Sequence, residues 1–185
     1  SLRRQRQMCI RDRNFFTGLK AYFDTHAWKN TELRDLLVEL EKASGRDLDE
    51  WVRVWLQESG VNLLKPELKV SDGVLTELLI LQEPWVIEGQ PTPSLRPHRL
   101  AVGLYSLQDD KLVRTELIHL DVNQAVTYVP LPSDTPQPDL VLVNDTDLTY
   151  AKIRFDDASL ETALAHLSGI DDSLAQLLVL STVWD

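Results

Sequence analysis

The stretch GRDLDEWVRVWLQESGVNLLKPE, residues 45–67, marks the point where the chain changes from helical periodicity to short apolar runs. Its first part predicts a helix, because Asp47 offers an N-cap oxygen and Glu50 follows three residues later, as in a capping box. The apolar face of this helix consists of Leu48, Trp51, Val52, Trp55 and Leu56. Gly60 ends the helix, and the pattern changes after Pro66. We interpret the two tryptophans as core packing rather than as a ligand platform.

Two amphipathic helices precede this stretch. Apolar residues from Phe15 to Phe23 recur at three- and four-residue steps, which predicts a short helix. A second helix is predicted from about Thr31, with Asn30 or Thr31 as its cap and Gly45 as its stop.

The region after Pro66 is typical of strands and turns. Five apolar runs predict strands: Leu75–Leu81, Leu100–Leu107, Lys111–Leu120, Ala125–Val129 and Leu140–Val143. Asp109 and Asp110, between two of these runs, predict a hairpin turn. Because no helical pattern separates the strands, the sequence argues against a doubly wound parallel sheet and favours an antiparallel β-sandwich.

Helical periodicity returns near the end of the chain, which makes the predicted fold class α+β. Ser159 predicts a helix cap, Gly169 predicts a stop, and a further helix is predicted to start at Asp171 or Asp172. Its apolar positions run up to Asp185 without a capping residue, so we expect the element to continue beyond it.

The composition indicates a globular protein, since 43% of the 185 residues are hydrophobic and 26% are charged. No window approaches the roughly 20 apolar residues that span a bilayer, so membrane insertion is not expected. Residues 1–13, SLRRQRQMCIRDR, are basic. The rest of the chain carries 14 basic and 28 acidic residues, a formal charge of −14, which disfavours binding to nucleic acid.

We expect the basic leader, residues 1–13, to be disordered and to be an adaptor-derived artefact. It is similar to translated adaptor sequence, and it stops where the helical pattern begins at Asn14. A nucleic-acid arm and a targeting peptide are the alternatives, although the leader lacks the apolar core of a secretory signal. Cys9, the single cysteine, lies within it, so an intrachain disulfide is impossible and a cytoplasmic location is expected.

Four histidines are scattered without metal-ligand spacing: His26, His98, His119 and His166. The motif His-Glu-x-x-His, which places two ligands on one helix face, does not occur. Asp24 and His26 could form a general base with its orienting carboxylate, but a solvated loop histidine is the simpler interpretation. His119 and Asp121 would face the same side of a strand, and two ligands are too few for a structural zinc site.

A calcium site could be offered by four aspartates: Asp145, Asp147, Asp156 and Asp157. Their spacing does not fit an EF-hand loop, so turn and cap roles are expected for them. Ser44 and Ser59 each precede a glycine and lie in no nucleophile elbow, so they are interpreted as helix stops. We therefore assign no catalytic, cofactor-binding or metal-ligating residue.

Three blocks of the sequence resemble the aminopeptidase N family of zinc metallopeptidases, in its bacterial and particularly its actinobacterial form. The blocks are FFTGLKAYFDTHAWKNTELRDLLVELEKASGRDLDEWVRVWLQESGVNLLKPEL from Phe15, LVLVNDTDLTYAKIRFDDASL from Leu140, and residues 171–185. The resemblance implies a piece of a larger enzyme. Residues 14–66 would close the thermolysin-like catalytic domain, residues 67–145 would form a β-sandwich domain, and residues 146–185 would begin a C-terminal helical domain.

The resemblance also implies a reaction, the release of N-terminal amino acids from peptides by a zinc-bound water with a glutamate as general base. Zn²⁺ is thus expected in the full-length parent and not in this chain. The family's Gly-x-Met-Glu-Asn motif is also absent, and Tyr22 and Tyr150 are interpreted as packing residues rather than as substitutes for its catalytic tyrosine. The expected partners are peptide substrates of the parent and the missing N- and C-terminal parts of the same enzyme.

A second hypothesis treats the chain as a non-catalytic β-sandwich module that binds a protein partner through its helical flanks. This alternative requires the helical faces that carry Leu19, Tyr22 and Phe23 to dock on that partner. On the first hypothesis the same faces would be covered by other parts of the enzyme.

Overall fold

The computed structural model describes residues 2–184, with side chains from Arg13 onward. The chain forms two compact units, Ser1–Gln57 and Glu58–Asp185. The side chains of residues 1–12, including Cys9, lie outside the described residues. The assignment of the parts to the domains of a larger protein stays a prediction.

The first unit is helical. Its elements are α1 (Leu2–His26), α2 (Leu33–Ser44), α3 (Asp49–Val52) and a π-helical turn (Arg53–Gln57). The backbone of α1 is helical from Leu2, which differs from the disorder expected for residues 1–13. A physical reason is that the leader is rich in arginine and glutamine, which are good helix formers and can extend a helix that has already begun.

Helices α1 and α2 pack closely at Gly18. A Cβ atom on Gly18 would lie 2.9 Å from the side chain of Leu40, so only glycine fits at this crossing. The predicted stop of α2 is confirmed, because Gly45 has a φ of 65° and donates its N–H to the carbonyl of Glu41. The predicted caps, Asn30 and Thr31, are wrong. Glu32 is the N-cap, and its backbone N–H donates to Asp35 Oδ2 at 2.9 Å.

The helix predicted from Asp47 is shorter than expected and changes its winding. Asp47 Oδ1 accepts a hydrogen bond from Asp49 N at 2.8 Å, so Asp47 lies before the helix rather than at its N-cap. The π-helical turn then shifts the phase of the apolar face. Val52 and Val54 are buried, whereas Trp51 is 45% exposed, so the interpretation of Trp51 as core packing is wrong.

The second unit contains seven strands in two sheets. Sheet 1 has the order β5-β2-β1-β7 and sheet 2 the order β4-β3-β6. The strands are β1 (Asn62–Ser71), β2 (Val74–Pro84), β3 (His98–Gln108), β4 (Lys111–Val122), β5 (Val126–Tyr128), β6 (Leu140–Val143) and β7 (Lys152–Ile153). Neighbouring strands are antiparallel except for β1 and β7.

The predicted sandwich is confirmed, and its core lies between the two sheets. Buried Leu64 and Ile80 of sheet 1 belong to one cluster with Leu100, Val102 and Val141 of sheet 2. The five predicted strands correspond to β2 through β6. The predicted hairpin is also confirmed, because Asp109 and Asp110 both adopt positive φ between β3 and β4.

Sheet 2 is covered on its second face by helices. These are α4 (Asp157–His166), a 3₁₀ turn (Leu167–Gly169) and α5 (Ser173–Trp184). Tyr105, Leu140 and Leu142 of sheet 2 cluster with Ala163 of α4 and Ala175 of α5. The second unit is therefore three layers thick, and the helices predicted to begin another domain pack directly on the sandwich.

Candidate functional site

A buried polar network lies at one end of the sandwich and centres on Asn62, the first residue of β1. Asn62 Oδ1 accepts hydrogen bonds from Arg96 N at 2.9 Å and from Gln82 Nε2 at 3.1 Å. Asn62 Nδ2 donates to the carbonyl of Ser94 at 2.9 Å. The Arg96 guanidinium donates to the carbonyls of Gly60 and Glu58. These bonds tie the loop before β3 to the segment that leads into β1, which is a structural role.

His98 extends this network across the sandwich. Its Nδ1 lies 2.7 Å from Thr149 Oγ1 and its Nε2 lies 3.3 Å from Asn62 Oδ1. Burial, together with the positive charge of Arg96, lowers the pKa of His98 to about 4. A neutral ring that donates from Nε2 and accepts at Nδ1 satisfies both contacts. Both ring nitrogens are thus engaged in hydrogen bonds rather than directed at a ligand.

A second buried polar cluster centres on Asp145, which follows β6. Its Oδ1 accepts the hydroxyl of Tyr105 at 2.8 Å, and its Oδ2 accepts Arg114 Nη1 at 3.0 Å. Burial raises the pKa of Asp145, while the bonds from Tyr105 and Arg114 act in the opposite direction. The same burial raises the pKa of the Tyr105 hydroxyl. The sequence marked Asp145 only as a turn aspartate, because its partners lie 31 and 40 residues away.

Gly103 makes room for this carboxylate. A Cβ atom at position 103 would lie 2.0 Å from Asp145 Oδ2 and 2.8 Å from Tyr105 Cε2. Any side chain at this position in the central strand of sheet 2 would therefore displace the buried charge.

The other aspartates have the expected turn and cap roles, with one correction. Asp147 donates its backbone N–H to the carbonyl of Asn144 in a turn, and Asp157 lies in the first turn of α4. The N-cap of α4 is Asp156, not the predicted Ser159, because Asp156 Oδ1 accepts Ser159 N at 3.0 Å. Ser159 Oγ instead accepts the backbone N–H of Val141 at 2.9 Å.

The remaining histidines lie on three different elements. His26 ends α1, with its ring 5.4 Å from that of Tyr22, and Asp24 pairs with Lys20 rather than with His26. His119 is exposed on β4. His166 ends α4.

The other polar residues weighed as site candidates in the sequence either have their own partners or are exposed to solvent. Asp121 pairs with Arg99 at 2.8 Å. Ser44 Oγ donates to the carbonyl of Leu40, in keeping with a helix end. Tyr22 is half-buried, but Tyr150 is 75% exposed, so its interpretation as a packing residue is wrong.

One acidic cluster was not anticipated from the sequence. Oxygens of Glu41, Asp47 and Asp49 lie within 4.8 Å of one another at the end of α2 and the start of α3. Each has a local partner: Glu41 Oε1 accepts Leu48 N, Asp47 Oδ1 accepts Asp49 N, and Asp49 Oδ1 accepts Arg34. The cluster is thus explained by helix ends and an exposed ion pair.

Parts of two known proteins are similar in sequence to this chain. No protein-family model matches the chain. Aminopeptidase N of Streptomyces lividans is 45% identical over 177 residues, which cover 92% of this chain and 20% of that protein. The chain is similar in sequence to part of aminopeptidase N. Aminopeptidase N of Lactococcus lactis subsp. lactis is 39% identical over 72 residues, 39% of this chain and 8% of that protein.

The fold is similar to part of a solved aminopeptidase structure. The crystal structure of Legionella pneumophila aminopeptidase A in complex with aspartic acid aligns with a TM-score of 0.61 at 15% identity. The alignment covers 91% of this chain and 19% of that chain. The chain thus spans about a fifth of the length of the Streptomyces relative.

The residues whose side chains the structure describes do not fit the zinc that the resemblance to aminopeptidase N implies. A catalytic zinc takes three protein ligands, typically including two histidines one helical turn apart. His26 and His166 end different helices, and His98 and His119 lie on strands. The cluster of Glu41, Asp47 and Asp49 offers carboxylate oxygens alone, a set that suits harder cations. No helix among the described residues is long and apolar enough to cross a membrane.

Proposed function

We propose that this chain is part of a zinc-dependent aminopeptidase that removes N-terminal amino acids from peptides. The observation that carries the proposal is the 45% identity to Streptomyces lividans aminopeptidase N over 92% of the chain. In this proposal residues 14–66 close the catalytic domain, residues 67–145 form the sandwich domain, and residues 146–185 begin the helical domain.

The chain by itself is proposed to be inactive, because it contributes no zinc ligand and no general base. Both buried polar clusters serve the packing of the sandwich. Asn62, Arg96 and His98 bond to one another or to neighbouring loops, and Asp145 bonds to Tyr105 and Arg114. The parent is expected to act on peptides in the cytoplasm, in keeping with the single cysteine.

The sandwich is proposed to act as a rigid spacer between the catalytic part and the helical part. Support comes from the packing of sheet 2, which has one buried cluster facing sheet 1 and another facing α4 and α5. Close-packed cores have low compressibility, so a displacement of one layer also moves the layer that is packed on it. The orientation of α4 therefore follows the orientation of the sandwich.

Two measurements test the proposal. The isolated chain, incubated with zinc, should release no 4-nitroaniline from alanine 4-nitroanilide above the rate in buffer. A chimera of Streptomyces lividans aminopeptidase N, with its aligned region replaced by residues 14–185, should retain kcat/KM to within about tenfold. Chelator-sensitive hydrolysis by the isolated chain would refute its inactivity. A folded, zinc-loaded chimera without activity would refute the placement.

The alternative of a self-standing interaction module draws support from the core of the second unit. Its two clusters are built from residues of the second unit alone, and exposed apolar residues such as Val86 and Ile87 lie on its loops. This alternative predicts that the isolated chain captures a protein partner and that the chimera is inactive.

A further inference from the structure

Helix α5 packs against the apolar cluster on the second face of sheet 2. Among its described residues, only Ala175 and Val179 are buried. Leu174 and Leu177 are 40% and 60% exposed. Leu178 and Val183 of α5 are half-buried and pack against the same cluster. Polar contacts at the N-terminus of α5 add to this apolar packing.

The N-terminus of α5 is bound by a carboxylate with two roles. Asp172 Oδ1 accepts the backbone N–H groups of Leu174 at 3.0 Å and Ala175 at 3.3 Å, as an N-cap does. Asp172 Oδ2 lies 3.4 Å from Arg114 Nη2 on β4. The same side chain thus caps the helix and pairs with the sheet.

Arg114 is shared between this cap and the buried charge. Its Nη1 donates to Asp145 Oδ2 at 3.0 Å while its Nη2 faces Asp172, so one guanidinium joins two carboxylates from different elements. Asp145 is inaccessible to solvent, whereas the Arg114 side chain is 32% exposed. A planar guanidinium with several donors can bridge in this way, and an ammonium group cannot.

Other groups at this contact have separate partners. Tyr105 of β3 donates to Asp145 Oδ1, and Lys111 of β4 pairs with Asp171 at 3.2 Å in a more exposed position. A Cβ on Gly169, in the turn before α5, would lie 2.4 Å from the carbonyl of Asp110, so the β3–β4 hairpin fits closely against this turn. The β3–β4 hairpin and the turn before α5 therefore pack directly against each other.

We propose that Arg114 is an electrostatic latch: by bridging Asp145 and Asp172 it lowers the population of a state in which α5 is detached from sheet 2. When the bridge is broken, α5 opens more often as a unit and the sandwich stays folded. Breaking the bridge on the Asp172 side leaves the buried Arg114–Asp145 pair intact, which is why the sandwich survives the release.

Hydrogen exchange of the full chain, followed by mass spectrometry, tests the latch. Asp172→Asn keeps a capping side chain and removes the charge. We expect exchange in residues 173–184 to accelerate about fivefold, with exchange in β3 and β4 unchanged. Asp171→Asn is the matched control, since it removes the exposed pair with Lys111 and should change exchange less than about twofold.

Arg114→Lys gives a second, independent result. A lysine cannot bridge both carboxylates, so this variant should accelerate exchange in α5, and adding Asp172→Asn should produce no further increase. Additive effects would overturn the latch, because they would show that Arg114 and Asp172 act separately. Equal effects of Asp171→Asn and Asp172→Asn would overturn it as well, and so would an acceleration in β3 and β4 that parallels the one in α5 when Asp172→Asn is measured.

Discussion

Substitution of Gly103 by alanine is expected to destabilise the sandwich severely. Gly103 lies in the central strand of sheet 2, opposite Leu117 on one side and Leu142 on the other. The added methyl group would lie 2.0 Å from Asp145 Oδ2 and 2.7 Å from its Cγ. Neither β4 nor β6 can move aside without breaking its ladder, so the carboxylate must leave its position.

The magnitude follows from what the displaced carboxylate loses. Overpacking a core costs about 1–3 kcal/mol, and breaking a buried ion pair costs about 3–5 kcal/mol. The two costs overlap, because moving Asp145 relieves the clash while it breaks the bonds to Tyr105 and Arg114. We therefore expect Gly103→Ala to lower the free energy of unfolding by about 4 kcal/mol.

Urea-induced unfolding followed by circular dichroism measures this loss. The matched control is Gly73→Ala, at a hairpin turn with a φ of 75° and no heavy atom within 4 Å of the added Cβ. Its cost is conformational alone, about 1 kcal/mol. Gly103→Ala should cost less in the Asp145→Ala background than in the original chain, because only the 2.8 Å contact with Tyr105 Cε2 then remains. A loss below about 1 kcal/mol for Gly103→Ala would refute the reasoning.

Three further predictions concern single side chains. Because the unfolded chain protonates His98 near pH 6.5 and the folded chain only at about 4, unfolding free energy should fall as pH decreases between these values. This fall, at most about 1.4 kcal/mol per pH unit, should be lost in His98→Gln and should therefore appear in the difference between the stability curves of the two chains, as urea titrations at several pH values would show. Asp156→Ala should cost about 1 kcal/mol through the lost cap of α4, and urea unfolding should show no loss if the cap assignment is wrong. Gly45→Ala should cost about 1 kcal/mol because α2 ends in a left-handed residue, and Gly45→Asn should cost less; equal costs would contradict this.

The sequence predicted the elements whose pattern is local. Strands β2 to β6 follow from apolar runs between turn residues, and the end of α2 follows from a single glycine. Strand β1 was missed because Pro66 was taken as a break. Pro66 is tolerated because, among the described strands, β7 pairs only with Leu63 and Leu64, which leaves one side of β1 open at the proline.

The buried polar clusters could not be predicted, because their partners are distant in sequence. His98 meets Thr149 across 51 residues, and Asp145 meets Tyr105 across 40. The spacing of apolar residues along the chain carries no information about contacts between residues so far apart in sequence. Ser159 was mistaken for the cap of α4 because Asp156 and Ser159 are both capping residue types. Because α4 begins at Asp157, the residue directly before the helix is Asp156, and Asp156 is therefore the N-cap.

The DNA sequence of the source locus on both sides of the segment that encodes residues 14–185 distinguishes the two hypotheses. If the chain is part of a zinc aminopeptidase, an in-frame His-Glu-x-x-His motif followed by a further glutamate, the ligand set and general base of such an enzyme, lies upstream. A start codon near Asn14 with a stop codon after Asp185 would contradict the account and favour a non-catalytic module.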